Sequence, residues 1–334
     1  MRWLVTGGCG FIGRNLIRRL LRDSNAEVRI VDDLSVGTAE KLALVTDFVR
    51  VEATALDRIS AAPYRVELVV GDIRDAGLAV RAGAGMDVIV HLAACTGVAP
   101  SVADPRFDCM TNVIGTLNYL EAARSCGIKR FVFASSGAPI GECSPPIHEE
   151  LAPHPVSPYG ASKLAGEAYC SAYSRSFGID AVALRFGNCY GPLSGHKDSV
   201  VAKFIREALL GSPWDIYGDG RQTRDFIYVD DIAAAIELAA SVGGIGGEVF
   251  QIATNTETTV LDLAQRLAAI LKVRGISPPP IRHQASRTGD VRRNFSDTTK
   301  ARTRLRWQSM VSLDEGLNRT IDWFVAEKAA ARLA

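Results

Sequence analysis

The sequence lacks the features that would direct it to a membrane or a nucleic acid. Its 334 residues contain no apolar run that approaches the ~20 residues needed to cross a bilayer. The 38 basic and 37 acidic residues give a net charge of +1, so no positive excess favours binding to a polyanion. We therefore expect neither a membrane nor a nucleic acid as a partner.

The chain also lacks paired cysteines and a secretory signal. Its seven cysteines are scattered, odd in number and free of any CxxC pair, which argues against a disulfide framework and a metal site. Residues 1–6 lead directly into a strand pattern, without the apolar stretch and small-residue cleavage site of a signal peptide. These features predict a cytoplasmic protein with reduced thiols and no bound metal.

What is present is an alternation of short apolar segments with helical patterns. Hydrophobic residues make up 47% and charged residues 22% of the chain, as in ordinary globular proteins. The segments predicted as strands are 3–6, 27–32, 66–72, 87–93, 130–135, 181–187 and 248–253. The predicted helices start near residue 11 or cover 105–126, 158–177, 260–271 and 313–329.

This alternation predicts an α/β fold, a doubly wound parallel sheet of the Rossmann type with a smaller α/β lobe that binds substrate. The length favours two lobes. We assign residues 1–180, with contributions from about 212–253, to the cofactor-binding domain, and 181–211 and 254–334 to the substrate lobe. Ligands of such sheets bind beyond the carboxyl ends of the strands, so residues just after each strand are functional candidates.

A glycine-rich segment follows the first strand and opens the first helix. Gly7, Gly10 and Gly13 form a GxxGxxG pattern, a variant of the dinucleotide fingerprint whose amides and helix dipole favour a pyrophosphate. Asp32 ends the next strand, 19 residues after Gly13. A carboxylate at this position accepts hydrogen bonds from the ribose hydroxyls of NAD and repels the 2′-phosphate of NADP. Asp33 follows and no arginine lies close behind, so the pattern favours NAD over NADP. The alternative is a generic strand–turn–helix without a ligand.

Tyr159 and Lys163 lie four residues apart at the start of a predicted helix and so share one face. Free tyrosine has a pKa of about 10, and a neighbouring ammonium lowers it towards the range of a general base. Ser136 ends the fifth predicted strand, where its hydroxyl would face the substrate. These three residues are the predicted catalytic group; the alternative for the tyrosine and lysine is a surface pair on an amphipathic helix.

The motifs together resemble the extended short-chain dehydrogenase/reductase family, the NAD-dependent nucleotide-sugar epimerases and dehydratases, over nearly the whole chain. The matching segments are TGGCGFIG at 6–13, DDLS at 32–35, GDIRD at 71–75, HLAA at 91–94, SS at 135–136, SPYGASK at 157–163, RFGNCYGP at 185–192 and YGDGRQTRDFIYVDD at 217–231. Their combination is specific to the family, but it does not select one reaction within it.

The resemblance implies site residues for NAD and for a nucleotide sugar, most simply a UDP-linked one. The implied cofactor residues are Gly7, Gly10, Phe11, Ile12, Gly13, Asp32, Asp33, Ser35, Asp72, Ile73, Leu92, Ala93, Ala94, Tyr159 and Lys163. The implied substrate residues are Ser136, Asn188, Lys203, Tyr217, Arg224, Arg287 and Asp290, with the two arginines neutralising the diphosphate.

The residues after Ser136 reduce the number of reactions that this chain is expected to catalyse. The 4,6-dehydratases of the family carry an Asp-Glu pair there and the decarboxylases a nearby Glu, whereas this chain has Gly137 and Ala138. The resemblance therefore implies a 4-epimerase that passes through a 4-keto sugar, with Tyr159 as proton acceptor and donor. Asn294 falls near a position where hexose-specific epimerases carry a large tyrosine, so glucose/galactose, N-acetylhexosamine and uronic acid substrates all stay open.

Several alternatives to the 4-epimerase stay open from the sequence. A dehydratase, a decarboxylase or a 4-ketoreductase of the same family would use the same fold and cofactor. A non-catalytic NAD-binding regulator is the distant alternative, because Tyr159, Lys163 and Ser136 are all intact.

The resemblance also implies a homodimer. The helices predicted at 105–126 and 158–177 would pair with those of a second copy in a four-helix interface. The small residues Ala122, Ala123, Ala165 and Ala168 would allow this close packing, unless they pack only on their own sheet.

Overall fold

The structure is a computed structural model that describes residues 1–23, 25–56, 65–285 and 291–333. Its strands are β1 (Arg2–Thr6), β2 (Glu27–Asp32), β3 (Val49–Arg50), β4 (Val66–Val70), β5 (Val88–His91), β6 (Arg130–Ser136), β7 (Asp180–Phe186), β8 (Asn188–Tyr190), β9 (Trp214–Tyr217), β10 (Thr223–Arg224), β11 (Phe226–Tyr228), β12 (Val249–Ile252), β13 (Thr258–Thr259) and β14 (Ile281–Gln284). Its α-helices are α1 (Phe11–Asp23), α2 (Ala39–Ala43), α3 (Ala76–Gly83), α4 (Val98–Ala103), α5 (Pro105–Cys109), α6 (Gly115–Ser125), α7 (Pro158–Phe177), α8 (Val200–Leu210), α9 (Val229–Ser241), α10 (Val260–Val273) and α11 (Leu313–Leu333).

The large sheet has eight strands among the described residues, in the order β12-β7-β6-β5-β1-β2-β4-β3. Every pair in it is parallel. The predicted doubly wound parallel sheet is therefore confirmed, and each of the seven predicted strands is present. The sequence analysis missed β3, because two residues are too short to show an apolar pattern.

Two hydrophobic clusters cover the two faces of this sheet, which explains why its strands are almost continuously apolar. One cluster packs α1 and α9 on one face, and the other packs α3 and α6 on the opposite face. A third cluster joins α8, β9, β11, α10 and α11 into a smaller group of elements beside the sheet. It contains elements of the predicted substrate lobe, and also β9 and β11, which the prediction placed in the cofactor-binding domain.

The predicted division of the chain places residues 181–211 in the smaller lobe. In the structure β7 instead pairs with β6 and β12 inside the large sheet. Its central residues are fully buried between the two main clusters, which favours this position. The residue limits of the two lobes remain a prediction.

The helix predicted at 105–126 is interrupted. A π-helical turn, Met110–Ile114, separates α5 from α6, and the short α4 precedes them. Single π-helical turns occur frequently at functional sites. This turn contains Asn112, which reaches the candidate active site described below.

The expected packing of small residues between two copies is only partly possible. Ala122 and Ala123 of α6 are completely buried in the chain's own core, so they are unavailable to a second copy. Ala168 and Tyr169 of α7 are exposed. The homodimer remains a prediction, and the two α6 alanines must be removed from its interface.

No helix among the described residues is both long enough and apolar enough to cross a membrane.

Candidate active site

The glycine loop lies where the ends of β1 and β5 meet. Gly7 has φ of +69°, and a Cβ added there would lie 2.8 Å from the backbone nitrogen of Ala93. Its own N–H donates to the carbonyl of Val31 at 2.9 Å. Strand order reverses at this point, because β2 lies on one side of β1 and β5 on the other. Dinucleotides bind at such a switch point.

The other two glycines make the loop a cradle for an anion. A Cβ at Gly13 would lie 2.5 Å from the carbonyl oxygen of Gly7, so α1 reaches the loop only because this side chain is missing. A Cβ at Gly10 would contact only that same oxygen, at 3.1 Å, which leaves its other side open. The amides that start α1 at Phe11 and Ile12 are next to this opening. The arrangement fits a pyrophosphate.

Asp32 connects the glycine loop to the acidic segment after β2. Its carboxylate oxygens accept from the backbone N–H of Cys9 and of Leu34, each at 2.9 Å. Burial raises the pKa of Asp32, and the two amide hydrogen bonds lower it. Asp33 accepts from the N–H and the hydroxyl of Ser35. The predicted cofactor residues Asp32, Asp33 and Ser35 therefore lie together, beside the glycine loop.

The other predicted cofactor residues follow β4 and β5. Ala93 N–H donates to the Thr6 hydroxyl at 3.2 Å, so the segment of Leu92 and Ala94 runs beside the glycine loop. Asp72 forms an ion pair with Arg74, which lowers the pKa of Asp72.

Ile73 is buried, and a Cβ on Gly115 would come within 2.7 Å of its side chain. Ile73 thus packs against α6, while Asp72 remains at the surface.

Tyr159 lies in the first turn of α7, next to the end of β6. Ser157 caps this helix by accepting from the N–H of Gly160, and Pro158 occupies its first turn. Tyr159 and Ser136 share a hydrogen bond that lowers the pKa of the phenol. Burial raises that pKa more strongly, and Asp108 adds to the rise. The net shift is upward, opposite to the lowering expected from Lys163, because burial dominates.

Lys163 is buried behind the tyrosine. Its ammonium donates to the carbonyl of Ala134 at 2.9 Å and lies 4.9 Å from the ring centre of Phe133. Burial lowers the pKa of Lys163 to about 8. The structure thus places Ser136, Tyr159 and Lys163 together around the end of β6, with the lysine held by the strand's own backbone.

Sequence reasoning missed Asn112. Its side chain accepts from Cys95 N–H at 2.8 Å and donates to Cys95 O at 3.0 Å, so it fixes the loop after β5. It also contacts the Ser162 hydroxyl at 3.1 Å and the Asp108 carboxylate at 2.9 Å. An asparagine inside a predicted helix is the signal that could have found it, because asparagine disfavours helix interiors.

A buried ion pair behind the site was also missed. Glu167 of α7 accepts from two nitrogens of Arg185 on β7 at 2.7 and 2.8 Å, and each residue is 4% exposed. The hydroxyl of Ser135 donates to the same carboxylate at 2.5 Å. This pair joins α7 to β6 and β7. Nothing in the local sequence links residues 167 and 185.

Apart from Ser136, the predicted substrate residues in the described part of the chain lie on β8, α8, β9 and β10. Asn188 is exposed, and its N–H donates to the carbonyl of Asp225, next to Arg224. Ser136 pairs with Phe186, two residues before Asn188.

Arg224 and Lys203 each contact a neighbouring group. The Arg224 guanidinium donates to the carbonyl of Val291 at 2.7 Å. The Lys203 ammonium lies 5.9 Å from the ring centre of Tyr217. Arg287 and Asp290 lie outside the described residues.

Comparison with known proteins agrees with this geometry. The profile of the NAD dependent epimerase/dehydratase family matches residues 3–253. A UDP-glucose 4-epimerase of Mycolicibacterium smegmatis is 39% identical over 97% of this chain and 98% of its own length. A dTDP-glucose 4,6-dehydratase of Streptomyces niveus is 35% identical over 98% and 94%.

Solved structures give the same result. A Thermotoga maritima UDP-glucose 4-epimerase, solved with UDP-glucose, superposes with a TM-score of 0.85 at 35% identity, covering 98% of this chain and 100% of that one. The comparisons confirm the predicted resemblance and the prediction of NAD as the cofactor. The chain therefore belongs to the NAD dependent epimerase/dehydratase family and is an enzyme that acts on nucleotide sugars.

Proposed function

We propose that this enzyme is a UDP-sugar 4-epimerase that oxidises carbon 4 of the sugar and reduces it again from the other face. The observation that carries the proposal is the hydrogen-bonded pair of Ser136 and Tyr159 at the end of β6, beside the glycine cradle, with no carboxylate following the serine. Bound NAD supplies the hydride acceptor and donor for the exchange.

The chain's own residues handle the proton and the developing charge. Tyr159 accepts the proton of the 4-hydroxyl as a phenolate, whose negative charge the Lys163 ammonium favours against the effect of burial, and later returns the proton to the same oxygen. Ser136 holds that oxygen through its hydroxyl. The buried ammonium of Lys163 stabilises the negative charge on this side of the cleft, and the carbonyl of Ala134 holds it in place.

The sugar must turn between the two half-reactions, so its diphosphate needs a fixed anchor. Arg224 ends β10, two residues before the Phe226 that pairs with Asn188 of β8, so the two residues provide a guanidinium and an amide close together. Lys203 and Tyr217 lie together at the nucleoside side. We assign Arg287 to the same anchor and Asp290 to the substrate site.

The geometry after Ser136 disfavours dehydration. A Cβ added at Gly137 would have no heavy atom within 4 Å, so this position opens into space and offers no acid or base. Glu167, a carboxylate near the catalytic group, is neutralised by Arg185. The family also includes dehydratases, which need an acid and a base for elimination. The absence of a carboxylate directly after Ser136 therefore supports epimerisation over elimination.

The accepted sugar stays broader than glucose and galactose in this proposal. Asn294 is half-buried, and its N–H donates to the Thr223 hydroxyl next to Arg224, so it lies close to the proposed anchor. A side chain of this size leaves room for an N-acetyl or a carboxylate substituent. The homodimer and the cytoplasmic location remain predictions.

Turnover measurements test the proposal. Purified protein without added cofactor is incubated separately with UDP-glucose, UDP-N-acetylglucosamine and UDP-glucuronate, and the products are separated by chromatography. We expect the 4-epimer of at least one substrate and no 4-keto-6-deoxy product. Accumulation of the 4-keto-6-deoxy sugar, or a need for added reductant, would assign the chain to the dehydratases or the ketoreductases.

The catalytic assignment needs matched tyrosine variants. We expect Tyr159→Phe to lower kcat by about 10²- to 10⁴-fold. Tyr169→Phe, an exposed tyrosine on the same helix, should keep wild-type turnover. Full activity of Tyr159→Phe would refute the mechanism.

A further inference from the structure

A cavity of about 470 Å³ lies away from the proposed catalytic group, between α1 and α2 on one side and α8 and α11 on the other. None of its lining residues belongs to the predicted cofactor or substrate sets. Its volume falls within the ~300–1,000 Å³ typical of small-molecule sites. The cavity therefore has room for a second ligand.

Arg14 at this cavity is buried, and its hydrogen bonds go to backbone carbonyls rather than to a carboxylate. It is 2% exposed, and its guanidinium donates to the carbonyls of Gly10, Lys41 and Leu193. Carbonyl dipoles do not neutralise a full charge. The Glu327 carboxylate attracts Arg14 and Lys41 together, but no ion pair of Arg14 within 4.0 Å occurs among the described residues. A buried cation in this state favours a bound anion.

Further positive charge surrounds Arg14. Lys41 and Lys328 line the same cavity; Lys328 donates to the carbonyl of Leu209, and Lys41 attracts the Glu327 carboxylate. Arg206 contributes a third flanking cation, paired with the exposed Asp198. The one carboxylate among the lining residues is that of Glu327, so the cations outnumber it.

The pKa of His196, which also lines the cavity, is affected by the same positive charges. Burial lowers the pKa of His196 to about 4, and the neighbouring cations Lys41, Lys197, Arg14 and Arg206 lower it further in the same direction. The positive charges around the cavity thus act in the same direction as burial and disfavour a protonated imidazole.

The remaining walls are apolar. Trp323 and Phe324 of α11 meet edge to face, with ring centres 4.9 Å apart. Leu209 and Leu210 of α8 complete this side. An inorganic ion would leave these surfaces unfilled, whereas a ligand with an apolar body would cover them.

We propose that this cavity is a second binding site, for a small amphipathic anion that carries one carboxylate, sulfonate or phosphate on an apolar or aromatic body. The anionic group lies towards Arg14 and Lys41, and the apolar body lies against Trp323 and Phe324. Because the ligand contacts α1, α8 and α11 together, its binding stabilises the folded enzyme.

Fluorescence titration of the full chain tests the proposal, with anilinonaphthalene sulfonate as the probe. Saturating UDP and NAD are present, so that the nucleotide sites are blocked. We expect saturable binding at one site, at least about tenfold tighter than binding of the uncharged N-phenylnaphthylamine. Inorganic phosphate alone should compete only weakly, because it lacks the apolar body.

Variants locate the probe. We expect Lys41→Met to weaken binding about tenfold. Leu209→Trp should abolish binding by filling the cavity. Lys272→Met, an exposed lysine at the end of α10, is the matched control and should bind as the wild type does. All three variants should keep epimerase turnover, because none of these residues belongs to the proposed catalytic or substrate sites.

The proposal is overturned if the probe fails to bind the wild type or is displaced by UDP or NAD. It is equally overturned if both Lys41→Met and Leu209→Trp bind the probe with wild-type affinity. These results are independent of the reaction, because binding is measured directly and turnover is measured separately.

Discussion

Gly160 packs against the carbonyl group of Ala138, and a Cβ added at Gly160 would lie 2.6 Å from that oxygen. The first turn of α7 is thereby held against the turn that follows β6. This contact sets the distance between Tyr159, just before the glycine, and Ser136, just before the turn. Gly160 therefore allows the close approach of α7 to the turn after β6 and takes no part in the reaction itself.

Gly160→Ala should reduce turnover while the protein stays folded. The added methyl group displaces the start of α7 and separates the phenol from Ser136, so we expect kcat to fall about tenfold or more and KM to change little. Gly243→Ala is the control, since its Cβ would meet only the Arg130 side chain at 3.6 Å. Equal kcat values for the two variants would show that the contact does not position the tyrosine.

The free energy of unfolding should depend on pH through Lys163. Burial lowers the pKa of Lys163 from 10.5 to about 8, so between these values the unfolded chain binds more protons than the folded one. The unfavourable burial of the ammonium is fully present below pH 8 and is relieved as the pH rises. Wild type should therefore gain stability relative to Lys163→Met over this interval.

Urea unfolding at several pH values measures this difference. Lys272→Met serves as the control, because its exposed ammonium is solvated in both states. A wild-type curve that runs parallel to that of Lys163→Met would contradict the buried position of the ammonium.

Glu167→Gln should destabilise the fold strongly. It leaves the Arg185 guanidinium buried without its carboxylate, and removal of one partner of a buried pair costs about 3–5 kcal/mol. The exposed pair of Arg124 and Glu121 provides the comparison, where Glu121→Gln should change the unfolding free energy by less than about 1 kcal/mol. Chemical denaturation measures both values, and similar losses would argue against a buried pair.

Asp32→Ala should weaken NAD binding. The change removes the acceptor that orders the amides of Cys9 and Leu34, and it removes the carboxylate predicted to hold the ribose. We expect Kd for NAD to rise at least about tenfold, measured by calorimetry on cofactor-stripped protein. Asp47→Ala, an exposed residue after α2, should leave the Kd for NAD unchanged. Unaltered affinity in Asp32→Ala would remove this carboxylate from the cofactor site.

The sequence alone determined the parallel sheet and the turn of the glycine loop, and it predicted the catalytic group. These features depend on residues that are close along the chain: an apolar strand, the loop after it, and a tyrosine and lysine one helical turn apart. Strand ends of a parallel sheet meet at one edge, so Ser136 and Tyr159 could be placed together before any coordinates.

Only the tertiary structure decided how these groups are held. Asn112 reaches Ser162 across 50 residues, and Arg14 meets α11 from the opposite end of the chain. The upward pKa shift of Tyr159 arises from burial, which depends on how helices and strands pack. Spacing along the sequence contains no measure of desolvation, and for that physical reason the direction of the pKa shift of the phenol emerged only from the folded chain. The cavity beside Arg14 likewise required the fold, because its walls come from helices that are far apart in the sequence.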